Sequence, residues 1–230
     1  MENLHDKRKV YDKSQLLESE IKENPIEMFR DWFLDAEESS SVSEANAMAI
    51  STVEEDGCPR TRMVLLKAYT WEGFIFYTNY DSKKGKALQK NNKACLHFFW
   101  PGLERQIIIK ADLEKVAENL SDGYFGSRPR GSQLGAAVSP QSSVIPNREY
   151  LEDKLAALEK EYEGKEIPRP KNWGGFIAKP YQIEFWQGRP NRLHDRIIYE
   201  LDKNYDWKIS RRSEERRVGK ECRSRWSPYH

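Results

Sequence analysis

The sequence predicts one mainly β domain with added helices, an α+β chain whose strands form a closed or half-closed antiparallel barrel. Three observations lead there. About seven short runs rich in β-branched and aromatic residues recur between positions 46 and 209. Turn-forming residues separate most of them, so the strands follow one another as a meander. Helical periodicity is confined to a few inserted segments, with no internal repeat and no sustained heptad, which is the pattern of a barrel or half-barrel.

In chain order, residues 1–23 are polar and are expected to form a flexible N-terminal segment ahead of a single domain over 24–211. Asn24-Pro25 opens a helix, because Asn caps and Pro suits the first helical position. Its apolar face is Ile26, Phe29, Trp32, Phe33 and Ala36. Residues 46–53 read as a strand, EEDGCP as a turn, 61–69 as a second strand, TWEG as a turn and 74–79 as a third strand. Residues 82–91 read as a short helix capped by Ser82. Strands at 94–100 and 106–111 flank PGLE. A helix is expected over 113–127, a Ser/Gly/Pro-rich loop over 128–146, and a helix over 148–163 with Leu151, Leu155 and Leu158 on one face. Pro168 and Pro170 stop it. Strands at 175–178, 182–187, 196–201 and 207–209 complete the reading.

Composition narrows the function. The 230 residues suffice for a sizeable core, and 7 Trp, 11 Tyr and 9 Phe supply rings to fill it or to line a flat pocket. A net charge of +1 projects no global field, so neither nucleic acid nor a membrane surface is an expected partner. The three cysteines form no paired framework, which suits a cytoplasmic protein, and the four histidines show no metal-site spacing. The first residues lack the apolar core of a secretory signal, and no apolar run approaches the roughly 20 residues of a membrane span. Residues 212–230, RSEERRVGKECRSRWSPYH, resemble a translated sequencing adapter and are expected to be a non-native tail. With its six Lys/Arg and three Asp/Glu set aside, 32 basic and 34 acidic residues remain.

Four clusters carry possible chemistry. In RMVLLK (62–67), Arg62 and Lys67 bracket an apolar strand and differ by an odd number, so an unbroken strand sends them to opposite faces. A core strand with solvent-reaching ends has the same pattern. In DSKKGK (81–86), lysines sit at a helix start, where they are unfavourable unless an anion binds. The alternative is a solvated first turn. YFGSRPRGS (124–132) offers a phenol, guanidinium groups and hydroxyls, the donors a phosphate monoester needs, or it is a basic surface loop. In NRLHDR (191–196), extended chain would put Arg192, His194 and Arg196 on one face, a density of positive charge that favours an anionic or electron-rich ligand. Together these describe two phosphate sites beside a flat, ring-lined space. No nucleotide-binding glycine motif is present to name the ligand.

The same segments, in this order, resemble the pyridoxamine 5′-phosphate oxidase family. The resemblance rests on EANAM (44–48), RMVLLK (62–67), YTN and DSKKGK within 77–86, RQ (105–106), YFGSRPRGSQLGA (124–136), QSSVIP (141–146), WGG (173–175), EFWQG (184–188) and NRLHDR (191–196). It spans roughly residues 8 to 211. It implies an FMN-binding split β-barrel with two FMN sites at the interface of a homodimer. It assigns FMN to Arg62, Met63, Val64, Leu65, Tyr77, Thr78, Lys83, Lys84, Gln106, Gln141, Ser142, Trp186 and Arg196. It assigns the substrate phosphate to Lys67, Tyr124, Arg128 and Ser132, and places Arg192 and His194 over the pyridine ring as the catalytic pair. Arg8 to Tyr11 resembles a segment that closes over the substrate. Two departures stand out: Lys83 replaces an arginine common in the family, and the family's short C-terminal motif is missing beyond Arg211.

The reaction implied is oxidation of pyridoxamine or pyridoxine 5′-phosphate at C4′ to pyridoxal 5′-phosphate, with O2 reduced to H2O2. The alternatives are a split-barrel flavoenzyme with another substrate, and a non-catalytic flavin- or pyridoxal-phosphate-binding protein.

Overall fold

The structure, a computed structural model, describes residues 9–213. Arg8 and residues 214–230 of the adapter-like tail lie outside the described residues. The described chain builds nine strands, all in one antiparallel sheet, and five α-helices. In chain order these are α1 (Pro25–Glu38), β1 (Ala47–Val53), β2 (Pro59–Leu65), β3 (Ala68–Thr70), β4 (Gly73–Asn79), α2 (Lys83–Lys90), β5 (Lys93–Trp100) and β6 (Arg105–Lys115). They continue as α3 (Glu118–Ser127), α4 (Arg130–Val138), α5 (Glu149–Glu161), β7 (Trp173–Gln187), β8 (Asp195–Leu201) and β9 (Trp207–Arg211).

The sheet order is β2-β1-β5-β6-β7-β4-β3, with β8 on β7 and β9 on β8. Its two ends are joined by two residues only, Leu66 and Lys67, so the ends must meet. They meet through consecutive amides: Leu66 N–H donates to Asn46 O and Lys67 N–H to Ile75 O, both at 2.8 Å. One bent stretch of chain thus carries the β1–β2 pairing over into the β3–β4 pairing and brings the two ends of the sheet together.

Several expected elements are corrected. The strand expected over 61–69 is two strands, and Lys67 stands in the link between them, so counting residues from Arg62 does not fix its face. The helix expected over 113–127 begins only at Glu118, because β6 runs on to Lys115 paired with β7. The loop expected over 128–146 contains α4. The strands at 175–178 and 182–187 are one strand, continuous through a register shift at Lys110/Ala111 of its partner β6.

α1 forms as expected: Asn24 Oδ1 accepts the Ile26 N–H at 2.8 Å, and Pro25 occupies the first turn. Its buried face seals the barrel core. Phe29 is fully buried, with ring centroids of Phe74, Tyr69 and Phe98 at 4.8, 5.2 and 5.2 Å. Each such ring contributes at most about 2–3 kcal/mol of transfer free energy. A smaller core, Phe125, Leu134, Ile167 and Trp173, holds α3, α4 and α5 against the wall. Residues 9–23 pack on the domain: Leu16 is buried, and its N–H donates to Asp195 Oδ2 at 3.0 Å.

Candidate functional site

The first group of site residues is assembled where β4 passes into α2. Ser82 caps α2, its Oγ accepting from Gly85 N. A Cβ at Gly85 would lie 2.1 Å from Tyr80 O, so only glycine lets the first turn press onto the end of the strand. That closeness sends Lys84 inward. Lys84 is 6% exposed, and its Nζ donates to Thr78 Oγ1 and Gln141 Oε1, both at 2.8 Å. Among the described residues it pairs with no carboxylate. Burial, and secondarily the charge of Arg62, pull its pKa down to about 8.

Arg62 faces inward, opposite Ile50 on β1. Its Nη1 donates to Thr52 Oγ1 at 2.7 Å; its Nη2 is buried without a hydrogen-bond partner, and the nearest carboxylate oxygen, on Glu54, is 3.9 Å away. A buried and a half-buried cation side by side, with one distant counter-charge among the described residues, hydroxyls around them and an orphaned N–H fit a phosphate group. Lys83 is exposed. It lines a cleft of about 300 Å³ with Glu54, Glu55, Asp56 and Lys86, and Glu54 of that cleft is the carboxylate 3.9 Å from Arg62. Ser142, beside Gln141, adopts φ 70°.

Thr78 and Tyr77 are neighbours on a strand, so their side chains leave on opposite faces. Tyr77 stacks on Tyr124 at 4.0 Å and on Trp173 at 5.6 Å. Burial and the neighbouring Tyr124 raise the Tyr77 hydroxyl pKa. Arg128 lies 4.8 Å over Trp173, with Nη1 buried and unpaired and its pKa lowered by burial. This is a second cation short of an anion, held by a wall of rings. Ser132 is exposed in the first turn of α4, joined to that wall through Pro129 O. Lys67 lies elsewhere: it is exposed and lines a cleft of about 490 Å³ with Phe33, Glu37 and Asn46.

The second group lies on the outer wall across β6, β7 and β8, where Gln106, Trp186 and Arg196 are register partners. Arg196 makes a two-pronged contact with Glu184 at 3.0 and 2.9 Å. The ring centroid of Trp186 is 4.7 Å from that of His194, and Tyr11 sits edge-on to both, at 5.7 and 5.6 Å. Arg189 N–H donates to His194 Nδ1 at 2.9 Å, so Nδ1 carries a lone pair and the neutral ring's proton is on Nε2. The expected extended face of Arg192, His194 and Arg196 is corrected. Pro190–Arg192 is a 3₁₀ turn with Asn191 and Arg192 at φ 58° and 61°, and only Arg196 is on a strand.

Round the barrel, the row Met63, Ala49, His97, Ile108, Glu184 crosses four strand spacings. That separates the Arg62 strand from the Trp186 strand by roughly 19 Å along the wall. On the same wall Met63 and Phe99 are 64% and 52% exposed, whereas Val64 turns inward beside Leu65 at the strand end. Thr52, Glu104, Glu184, Arg189 and Asp195 all support this site. Sequence reasoning gave them no role, because strand pairing, the 190–194 turn and the packing of the N-terminal segment set their partners.

A model of a family described as pyridoxamine 5′-phosphate oxidase matches residues 34–161, and one described as the pyridoxine 5′-phosphate oxidase C-terminal dimerisation region matches 173–213. The chain belongs to the pyridoxamine 5′-phosphate oxidase family. It is 59% identical over 211 residues to a pyridoxine/pyridoxamine 5′-phosphate oxidase of Flavobacterium psychrophilum, covering 92% of this chain and 99% of that protein. It is 55% identical to the protein so named in Flavobacterium johnsoniae, covering 93% and 100%. Among solved structures it resembles PhzG of Burkholderia lata, with a TM-score of 0.80 and 28% identity over 86% of this chain and 97% of that one. An FMN-binding, pyridoxamine 5′-phosphate oxidase-related protein of Nostoc punctiforme shares the fold, with a TM-score of 0.65 at 16% identity over 84% of this chain and 100% of that one. The oxidase family's split barrel is therefore the fold of this chain, and its two matched regions take in both groups of site residues except Tyr11.

Proposed function

We propose that this chain is a homodimeric, FMN-dependent enzyme that oxidises pyridoxamine or pyridoxine 5′-phosphate to pyridoxal 5′-phosphate, with O2 as the final acceptor, in the cytoplasm. The observation that carries this reading is the pair of buried Lys84 and half-buried Arg62, two cations under-supplied with counter-charge among the described residues and ringed by Thr52, Thr78 and Gln141. The flavin phosphate completes it. The second under-supplied cation, Arg128 beside Tyr124 and Ser132, takes the substrate phosphate; Lys67, away from that wall in one protomer, adds to it from the rim.

When bound, FMN supplies a two-electron acceptor for the hydride leaving C4′ of the substrate, and O2 removes those electrons as H2O2. The chain's residues orient and shield. Trp186, Gln106 and Arg196 of one protomer would complete the flavin pocket that Arg62, Tyr77, Thr78 and Lys84 of its partner would form, so both groups would be needed although Arg62 and Trp186 lie four strand spacings apart in one chain. Met63, Val64, Leu65, Lys83 and Ser142 line the rest of that surface. His194 offers Nε2–H as a donor and Arg192 a fixed charge; together they hold and orient the ring. Tyr11 covers them and excludes water.

Purified protein should show a flavin absorption spectrum that bleaches when pyridoxamine 5′-phosphate is added without oxygen and returns with air, with release of pyridoxal 5′-phosphate. Colourless protein would defeat the cofactor reading. Flavin that binds but never bleaches would leave a ligand carrier.

A further inference from the structure

Glu104 is a buried carboxylate on none of the motifs above. Its side chain is 1% exposed and its backbone sits at φ 57°, unusual for a residue other than glycine. The described partners of the carboxylate come from the N-terminal segment alone. Lys13 N–H donates to Oε2 at 3.1 Å, and the Lys9 ammonium stands 3.3 Å from Oε1. Lys13 Nζ and Lys9 Nζ also reach the carbonyls of Gly102 and Pro101 in the same turn. The main chain of Glu104 faces the other way: its carbonyl accepts from Gly188 N–H at 2.8 Å and from Gln187 Nε2 at 3.3 Å. Gly188 lies against Tyr11 so closely that a Cβ there would come within 2.9 Å of the ring.

One residue therefore ties two pieces of chain that share no strand. Its side chain holds the segment bearing Tyr11, and its backbone holds the turn leading to Arg192 and His194. The left-handed backbone lets both bonds form at once, and such strain persists where surrounding contacts over-determine it. A carboxylate this buried needs hydrogen bonds and a counter-charge, and the segment supplies both.

We propose that Glu104 is a positioning residue that seats Tyr11 over the ring of His194, so that occupancy of the substrate site depends on it. This rests on the reading of Tyr11 and His194 as substrate contacts. Flavin-loaded Glu104→Ala is expected to raise the KM for pyridoxine 5′-phosphate about tenfold, the usual scale for losing a charge-assisted hydrogen bond, while kcat falls less than about threefold. Glu104→Gln, which retains the acceptor for Lys13 N–H, should recover most of that loss. Hydrogen exchange at the amides of residues 11–16 should speed up in the alanine variant and not in the glutamine variant. If the alanine variant does not fold, Lys9→Ala removes the ion pair from the other side and should raise KM by a smaller factor. An unchanged KM in a variant whose N-terminal amides exchange faster would overturn the proposal, as would equal losses in kcat and KM that glutamine does not rescue. An absence of oxidase activity in the unaltered flavin-loaded protein would instead defeat the reading beneath it.

Discussion

Among the described residues Lys84 has few acceptors and no anionic partner, so its charge is costly until a phosphate arrives. With a folded pKa near 8 against an ordinary 10.5, the unfolded chain binds more protons between those values. The flavin-free protein should therefore gain stability from this group as pH rises from 8 to 10.5, measurable as a rising Tm. Flavin affinity should move the other way. It should weaken above pH 8 by up to about tenfold per unit as the ammonium is lost, and Lys84→Met should abolish that dependence and weaken FMN binding by about ten- to a hundredfold. Fluorescence titration of FMN across pH 7–10 tests both. Arg192, outside the flavin pocket, belongs to the substrate. Arg192→Ala should lower turnover severely with flavin affinity unchanged, and normal turnover would remove it from the mechanism.

At the scale of elements, the site depends on how closely α2 can approach β4. Gly85→Ala adds a methyl group where Tyr80 O already stands. The helix start must back away, at a cost of about 1–3 kcal/mol, and Lys84 leaves Thr78 and Gln141. The expected outcome is a lower Tm together with weaker flavin binding. A variant that loses stability but binds FMN normally would show that the cap and the pocket are independent. The two-residue link Leu66–Lys67 is a second such place, because its two amides bond to opposite ends of the sheet, one to Asn46 and one to Ile75.

For the whole molecule, the separation of the Arg62 and Trp186 groups makes a specific demand on the dimer. When Lys84→Met and Arg196→Leu chains are co-expressed and assort at random, half the dimers are mixed, and in each of these one site receives both intact residues. About a quarter of wild-type activity should return when FMN is held too low to load either variant alone. If one protomer built the whole site, mixing would restore nothing, and the activity of the mixture checks this directly.

Composition, turn residues and alternation were enough to read a mainly β chain with added helices, the caps at Asn24 and Ser82, and the basic clusters, because each is a property of neighbours in sequence. They also located the family motifs, whose spacing survives without coordinates. Alternation cannot be counted through a bend: Leu66–Lys67 interrupts one run, so the count from Arg62 does not fix the face of Lys67, and Pro190–Arg192 interrupts another, so the shared face assigned to Arg192, His194 and Arg196 did not hold. The burial of Lys84, the unpaired Nη2 of Arg62, the clamp of Glu184 on Arg196 and the grip of Glu104 on the N-terminal segment arise from contacts between residues up to 95 positions apart. Such contacts exist only once the sheet has closed, because closure decides which distant side chains share a low-dielectric space and which charges are left without a partner.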